Sequence, residues 1–196
     1  MKITFIGDPH GHIDQLVDLM KGQTGMFISV GDTGFEPQIE KLRNQPISEE
    51  FYSVVGNHDW IPERYSWPYM GDHCYFPEFS LFTIRGANSI DKHLRTEGLD
   101  WFSDEELNYK QQCEAYDVYV ETKPKIVVSH DCPQSVMQSL FGYSEKSQTR
   151  IVLEHMFQVH QPELWVFGHH HKSKDVNING TRFVCLSELE TLTIEL

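Results

Sequence analysis

The sequence predicts an α/β fold in which a mixed sheet system, built as two sheets packed together, lies between helices. Three features of the chain predict this fold. Short apolar runs recur along it, and each stops abruptly at a small residue followed by polar groups. Segments with helical spacing lie between some of these runs, and a hairpin pattern occurs near the C-terminal end. Runs this short and rich in Val, Ile and Phe suit strands that are buried on both faces.

Five of these apolar runs are predicted to be strands. They cover residues 3–6, 26–30, 51–55, 126–128 and 164–167. Open α/β sheets bind their ligands outside the carboxyl ends of the strands, and neighbouring parallel strands share that edge. We therefore expect the polar residues that follow the five runs to lie close together.

Helices are predicted where apolar residues repeat every three or four positions. The segments with this spacing are residues 13–20 and residues 151–159. A third helix is expected to begin at Ser103, because acidic residues follow it in what would be the first turn. Near the C-terminal end, Asn179-Gly180 is typical of a tight hairpin turn, and residues 191–196 are predicted to be a last strand.

The length and charge of the chain limit its function. We expect residues 1–196 to form a single domain with a substantial core. Lys and Arg number 16 and Asp and Glu number 29, which gives a formal charge of −13. An acidic surface repels nucleic acid and anionic lipid, so non-specific nucleic-acid binding is not expected. Bound cations would reverse the sign locally and allow a small phosphorylated substrate.

The chain is also expected to be cytoplasmic and not membrane-associated. No apolar run approaches the roughly 20 residues of a membrane helix, and the N-terminal segment lacks the apolar core of a signal peptide. The four cysteines form no CxxC pair, and a chain of this length needs no disulfide. The oligomeric state is open.

Seven side chains that can bind metal follow the predicted strands: Asp8, His10, Asp32, Asn57, His130, His169 and His171. Two Asp, four His and one Asn are too many donors for one tetrahedral zinc. They suit two ions about 3.5–4 Å apart that share a carboxylate. Mixed nitrogen and oxygen ligands accept Mn, Fe, Zn, Ni or Co, and we expect two divalent ions with manganese favoured. The glycines before these residues would allow sharp turns and a close approach of the backbone to an ion.

These residues form five short motifs in order along the chain. The motifs are Gly7-Asp8-Pro9-His10, Gly31-Asp32, Gly56-Asn57-His58-Asp59, Ser129-His130 and Gly168-His169-His170-His171. Together they resemble the calcineurin-like metallophosphoesterase family, whose motifs are GDxH, GD, GNH(D/E), a later H and GHxH. The resemblance covers positions 7 to 171. It implies a four-layer αββα sandwich, with two mixed β-sheets flanked by helices, and a dinuclear metal site.

The resemblance also implies a role for each matching residue. One ion would be held by Asp8, His10 and His171, the other by Asn57, His130 and His169, and Asp32 would bridge them. His58 would lie beside the leaving group, to which it can donate a proton or a hydrogen bond. Two cations lower the pKa of a shared water, so a bridging hydroxide can attack phosphorus in line. Asp59 and Asp131 would orient imidazoles as hydrogen-bond acceptors.

Three further features have open interpretations. If residues 85–95 form a loop that faces the substrate, Arg85 or Lys92 would bind phosphate, and Arg85 is the favoured catalytic residue. In a solvated loop the same charges would pair with acidic neighbours. The aromatic segment 60–75 would either stack a nucleobase or pack against the domain, and we favour packing. Cys132 is either close to the ions or a small buried residue.

The predicted function is a metal-dependent phosphoester hydrolase for small phosphomonoesters or phosphodiesters, which include nucleotides and cyclic nucleotides. The first alternative is a protein serine/threonine phosphatase. Gly11 after His10 matches the phosphatase motif, but the arginine expected after the second motif is absent. The second alternative is a non-catalytic, metal-bound scaffold protein. His58 argues against a scaffold, because a scaffold needs no proton donor beside the site.

Overall fold

The part of the chain that the structure describes contains ten strands, five α-helices and two short 3-10 helices, Ile61–Glu63 and Lys92–Leu94. The structure is a computed structural model, and it describes residues 1–45, 50–143, 145 and 147–196. The strands are β1 (Lys2–Ile6), β2 (Met26–Ser29), β3 (Phe51–Ser53), β4 (His73–Phe76), β5 (Leu81–Ile84), β6 (Ile126–Ser129), β7 (Leu164–Phe167), β8 (Lys174–Ile178), β9 (Thr181–Cys185) and β10 (Thr191–Glu195). The helices are α1 (Ile13–Met20), α2 (Glu36–Arg43), α3 (Tyr109–Thr122), α4 (Gln134–Phe141) and α5 (Gln148–Val159).

The strands form two mixed sheets. The first has the order β10-β1-β2-β3, with β10 antiparallel to β1 and the other neighbours parallel. The second has the order β4-β5-β6-β7-β9-β8, in which the outer strands β4 and β8 are antiparallel to their neighbours. All five predicted strands are confirmed, three in the first sheet and two in the second. The residues that follow them therefore come from two facing sheets and not from one edge.

Three apolar clusters separate four layers. Because side chains alternate between the two faces of a strand, neighbouring residues belong to different clusters. In β2, Phe27 packs with residues of α1 and α2, whereas Ile28 packs between the two sheets. In β6, Val128 packs between the sheets, whereas Val127 packs with residues of α3, α4 and α5. This arrangement confirms the predicted αββα sandwich.

The helices at residues 13–20 and 151–159 are confirmed, but the predicted helix start at Ser103 is wrong. The helix α3 begins after Asn108, whose side chain accepts a hydrogen bond from the Gln111 backbone N–H at 3.1 Å. The Gln111 side chain accepts one from the Asn108 N–H at 2.9 Å, which completes a capping box. Glu105 instead accepts hydrogen bonds from Ser89. No helix of the described residues is both long and apolar enough to cross a lipid bilayer.

The predicted hairpin and last strand are also confirmed. Strands β8 and β9 pair across Asn179 and Gly180, whose φ angles of 52° and 88° suit a type I′ turn. Strand β10 pairs with β1 along the edge of the first sheet.

A buried ion pair ties the loop before β4 to the end of β5. The Arg85 Nε donates to Asp72 Oδ1 at 2.6 Å, and Nη1 donates to the carbonyl of Asp104 at 2.8 Å. The Arg85 side chain is fully buried. Burial acts to raise the pKa of Asp72, but hydrogen bonds from Tyr65 and Arg85 outweigh burial and lower this pKa. The carboxylate therefore stabilises the folded state.

We expect Asp72→Asn to lower the free energy of unfolding at pH 7 by about 3–5 kcal/mol, because it leaves the buried Arg85 without a counter-charge. Since the folded-state pKa is lowered, this stabilisation is present above the ordinary pKa of 3.8 and is lost as the pH falls below it. Urea unfolding at a series of pH values should show wild type and variant converging in acid. A gap that stays constant down to acid pH would contradict this account.

The exposed pair of Arg182 and Asp175 provides the control for this measurement. Arg182 donates through Nε and Nη2 to the two oxygens of Asp175, but both side chains are about half exposed. Solvent screens such pairs, so Asp175→Asn should cost less than about 1 kcal/mol.

Candidate metal centre

The structure brings the seven predicted ligands together at the carboxyl ends of strands from both sheets. Asp8 and His10 follow β1, Asp32 follows β2, and Asn57 follows β3. The second sheet contributes the residues after β6 and β7, which are His130, His169 and His171.

Four of the predicted ligands have the spacing of a metal site, and so does a separate group formed by Asp131, Cys132 and His170. The ligand atoms of Asp8, His10, Asp32 and His171 all lie within 4.8 Å of one another. The His10 Nε2 and His171 Nε2 atoms are 2.9 Å apart, and His171 Nε2 is 3.7 Å from Asp8 Oδ2. The His10 Nε2 is 3.6 Å from Asp32 Oδ2. These four residues can hold one divalent ion.

A second group lies on the other side of Asp32. The Asp32 Oδ1 is 3.2 Å from His130 Nε2, and His130 Nε2 is 3.1 Å from Asn57 Oδ1. The ring of His169 lies 5.0 Å from that of His130. The His130 Nδ1 is 3.0 Å from the carbonyl of Val30, so an N–H at Nδ1 leaves the Nε2 lone pair for a metal. Asp32 contacts both groups, which is the position that a bridging carboxylate needs.

Two buried carboxylate oxygens indicate that cations fit this cluster. Among the described residues, Asp8 Oδ1 and Asp32 Oδ2 have no hydrogen-bond partner although they are buried. The second oxygen of each carboxylate accepts a backbone N–H, from His169 to Asp8 at 2.7 Å and from His58 to Asp32 at 2.9 Å. Leaving a buried charged oxygen unsatisfied is costly, and a bound cation would remove that cost.

The charges of the cluster favour a cation as well. Burial raises the pKa of Asp8 to about 7, and the neighbouring Asp32 charge adds to that effect. Burial acts to lower the pKa of His130, but Asp32 and Asp8 outweigh burial and raise it to about 10. A proton on His130 thus balances the carboxylates, and a bound divalent ion would take over that role. Burial lowers the pKa of His169 to about 3, so this imidazole is neutral at pH 7.

Four of the candidate ligands have a strained backbone. The φ angles of His10, Asp32, His169 and His171 are 44°, 51°, 65° and 49°. Residues other than glycine seldom adopt this left-handed region, which costs on the order of 1–3 kcal/mol each. Strain that is concentrated in one cluster is typical of functional sites.

The motif glycines have a packing role that differs from the predicted one. A Cβ on Gly56 would lie 2.1 Å from Asp32 Oδ1, and a Cβ on Gly168 would lie 2.0 Å from Asp8 Oδ1. Of the four glycines that open the motifs, which are Gly7, Gly31, Gly56 and Gly168, only Gly31 has a positive φ, at 124°. The glycine of one motif therefore makes room for the ligand of another, whereas the sequence indicated sharp turns.

Two cavities open beside the cluster. The larger, of about 500 Å³, is lined by polar residues that include Arg150, His170 and Lys172 and by the apolar side chains of Ile90, Met137, Phe141 and Tyr143. The smaller, of about 310 Å³, is bordered by His10, Gly11, Gly34, Phe35, Gln38 and Arg95. His58 and His171 border both cavities.

His58 lies beside the cluster, as predicted, but Arg85 does not. The His58 ring is 5.7 Å from that of His10. Burial lowers the pKa of His58. The charge of Asp32 acts to raise this pKa, and the charge of Arg95 lowers it further. Arg85 borders neither cavity because its buried guanidinium is bonded to Asp72 and to backbone carbonyls. This placement does not support a contact between Arg85 and phosphate.

In the segment of residues 85–95, the cation that lies beside the site is Arg95. No role for Arg95 was predicted from the sequence. Its Nη2 is 3.4 Å from His58 Nε2. Lys92, the other predicted phosphate contact, lies 3.3 Å from Asn88 Oδ1 and borders neither cavity. The spacing of Asp91 and Arg95 by four residues is visible in the sequence, but it does not reveal the proximity to His58.

Asp59 accepts hydrogen bonds from backbone N–H groups and does not orient an imidazole. It accepts hydrogen bonds from the N–H groups of Gly34 and Gly56 at 2.8 and 2.7 Å and from the Tyr69 hydroxyl at 2.9 Å. It therefore fixes the two loops that carry Asp32 and Asn57. In the aromatic segment 60–75, Tyr69 is buried whereas Tyr65 and Trp67 are exposed, and none of the three borders either cavity described above, so the segment packs against the domain only in part.

Asp131 orients an imidazole, but that of His170 and not that of His130. Its Oδ1 is 3.2 Å from His170 Nε2, and its Oδ2 accepts a hydrogen bond from Arg150 Nε at 2.7 Å. Cys132 is fully buried, and burial raises the pKa of its thiol well above the ordinary value. The thiol is therefore a small buried group.

We expect Gly168→Ala to lower the bound metal measured by elemental analysis, because the added methyl would overlap Asp8 Oδ1. Gly22→Ala is the matched control. A Cβ on Gly22 meets nothing within 4 Å, and its φ of 73° imposes backbone strain alone. Equal metal content in the two variants would show that the packing of Gly168 against Asp8 is not needed for the site.

Several solved structures are similar to this chain, among them the following three. A predicted phosphoesterase of Streptococcus pneumoniae TIGR4 is 14% identical, with 99% of this chain and 83% of that chain covered and a TM-score of 0.46. A proposed 5′-nucleotidase of Staphylococcus aureus, solved in complex with alpha-ketoglutarate, is 11% identical, with 100% of this chain and 51% of that chain covered and a TM-score of 0.55. GAP50 of Plasmodium, the anchor in the inner membrane complex, is 14% identical, with 95% of this chain and 71% of that chain covered and a TM-score of 0.54.

At these identities, the similarity to the two structures with TM-scores above 0.5 shows the fold alone. A comparison of the sequence with curated proteins gives no match. The family model for calcineurin-like phosphoesterases matches residues 1–173, a range that contains all seven candidate ligands and His58. The chain therefore belongs to the calcineurin-like phosphoesterase family.

Proposed function

We propose that this chain is a dinuclear metal-dependent hydrolase of small phosphomonoesters or phosphodiesters. One observation carries the proposal. Asp8 and Asp32 each keep a buried oxygen without a hydrogen-bond partner among the described residues, in a cluster with four imidazoles and an amide. Membership of the calcineurin-like phosphoesterase family supports phosphoester hydrolysis as the type of reaction. The two cavities beside the cluster give a small phosphorylated substrate access to it.

The proposed ligand sets follow the two groups of side chains. Asp8, His10 and His171 hold one ion, the residues Asn57, His130 and His169 hold the other, and Asp32 contacts both. When bound, two divalent cations supply a water of lowered pKa and stabilise the charge on the phosphoryl oxygens. Manganese is the first ion to test, since the mixed nitrogen and oxygen ligands also accept other transition metals.

His58 is the proposed donor to the leaving oxygen. Its backbone N–H is bonded to Asp32 Oδ1, which fixes the residue beside the proposed bridging carboxylate. Its side chain borders both cavities, so it can reach a group that leaves a phosphorus atom bound between them. A positioned donor matters most for alcohols of high pKa, which leave poorly as anions.

We expect His58→Ala to keep both metal ions and to lower kcat by roughly 10²–10⁴-fold, with the larger losses for alkyl phosphates. Steady-state kinetics on aryl and alkyl phosphates, with elemental analysis of the same samples, measure both effects. His155→Ala is the control, because His155 is an exposed histidine on α5. The donor role is wrong if alkyl phosphates are hydrolysed by the His58 variant at the wild-type rate.

We expect Mn²⁺ to stabilise the wild type by about 2.7 kcal/mol at a concentration one hundred times Kd, and Asp8→Ala to lose most of that effect. Thermal unfolding with and without Mn²⁺ measures it. Asp14→Ala removes an exposed carboxylate of α1 and should respond to Mn²⁺ like the wild type. A full response of Asp8→Ala to Mn²⁺ would exclude Asp8 as a ligand.

A further inference from the structure

The smaller cavity lies on the side of His58 that faces Arg95. The His58 Nε2 is 3.4 Å from Arg95 Nη2, and Arg95 borders the smaller cavity but not the larger one. If His58 donates to the leaving oxygen, that oxygen lies next to Arg95. The group attached to it then extends into the smaller cavity.

Arg95 is fixed in position and keeps a hydrogen-bond donor for a ligand. Its Nε and Nη2 donate to the two oxygens of Asp91 at 2.8 and 2.7 Å, and Nη1 donates to the carbonyl of Asp100 at 3.3 Å. A guanidinium has about five N–H donors. These three bonds and the contact of Nη2 with His58 leave one N–H, on Nη1, for a ligand. A planar cation held in this way suits an anionic oxygen acceptor, because such a hydrogen bond is charge-assisted.

Gln38 offers a complementary group in the same cavity. Its side chain packs against two glycines, since a Cβ on Gly11 would lie 2.7 Å from Gln38 Cγ and a Cβ on Gly34 would lie 2.9 Å from Gln38 Cβ. The Gln38 Oε1 is buried and has no hydrogen-bond partner among the described residues. Buried acceptors of this kind are nearly always paired, and a ligand hydroxyl would pair this one.

We propose that the smaller cavity is the leaving-group subsite and that it takes an alcohol carrying an anionic oxygen for Arg95 and a hydroxyl for Gln38. This inference rests on the proposed function, because it assigns where the leaving group departs. The oxygen of water bonds to phosphorus, the bond from phosphorus to the leaving oxygen breaks, and that oxygen gains a proton. Arg95 and Gln38 border only the smaller cavity, so the larger cavity does not offer this pair of groups.

Three alkyl phosphates with the same phosphoryl group test this subsite on the Mn²⁺-loaded protein. Propyl phosphate has neither recognised group, glycerol 1-phosphate adds a hydroxyl, and 3-phosphoglycerate has a hydroxyl and a carboxylate. The wild-type kcat/KM should rise along this series. Arg95→Gln should lower kcat/KM for 3-phosphoglycerate at least about tenfold more than for propyl phosphate. Gln38→Leu should abolish the advantage of glycerol 1-phosphate over propyl phosphate.

Arg182→Gln is the matched control, since Arg182 pairs with Asp175 through the same two nitrogen atoms but on the exposed β8–β9 hairpin. It should leave all three rates unchanged. Equal losses for all three substrates in Arg95→Gln would overturn the subsite, because Arg95 would then act on the phosphoryl group or on the fold. An Arg95→Gln variant with unchanged kcat/KM for all three substrates would overturn it too.

Binding of glycerate separates the subsite from the proposed function. Wild-type protein that holds metal but hydrolyses none of the three esters would refute the proposed function alone. Calorimetry with glycerate then still tests the cavity without turnover. Arg95→Gln should weaken glycerate binding by about tenfold, and equal affinity in wild type and variant would overturn the subsite.

Discussion

The burial of two carboxylates side by side is the constraint on which the rest of the site depends. Asp8 and Asp32 are excluded from water, and each has an oxygen that no described residue pairs. Burying one such charge costs several kcal/mol even after relaxation, and two like charges repel each other. Without a cation, the raised pKa of Asp8 and a proton on His130 reduce this cost. Divalent cations would remove it and use the surrounding imidazoles as ligands.

The fold holds this costly arrangement by joining loops from both sheets. The first sheet supplies both carboxylates, and the second sheet supplies His130, His169 and His171. Gly56 and Gly168 leave room for the carboxylates, so the loops cannot close further without disturbing a ligand. Four ligands are held at positive φ, a strain that the packed layers on either side have to maintain.

Much of the fold and of the candidate site could be predicted from the sequence, because strand ends and motif residues are local features. The five strands and the sandwich are confirmed, and the predicted ligands lie together. Long-range contacts could not be predicted. The guanidinium of Arg85 is bonded to Asp72, and Nη2 of Arg95 lies beside Nε2 of His58. Neither contact can be read from the sequence. The start of α3 was misplaced because Asn108 and Gln111 form a stronger cap than the acidic residues after Ser103.

Anomalous diffraction at the manganese edge, on crystals of the protein grown with Mn²⁺, would locate any ions bound beside the two carboxylates. We expect two peaks, one among Asp8, His10 and His171 and one among Asn57, His130 and His169, with Asp32 within coordination distance of both. No peak at Asp32, or a single peak at the separate group of Asp131, Cys132 and His170, would contradict this expectation.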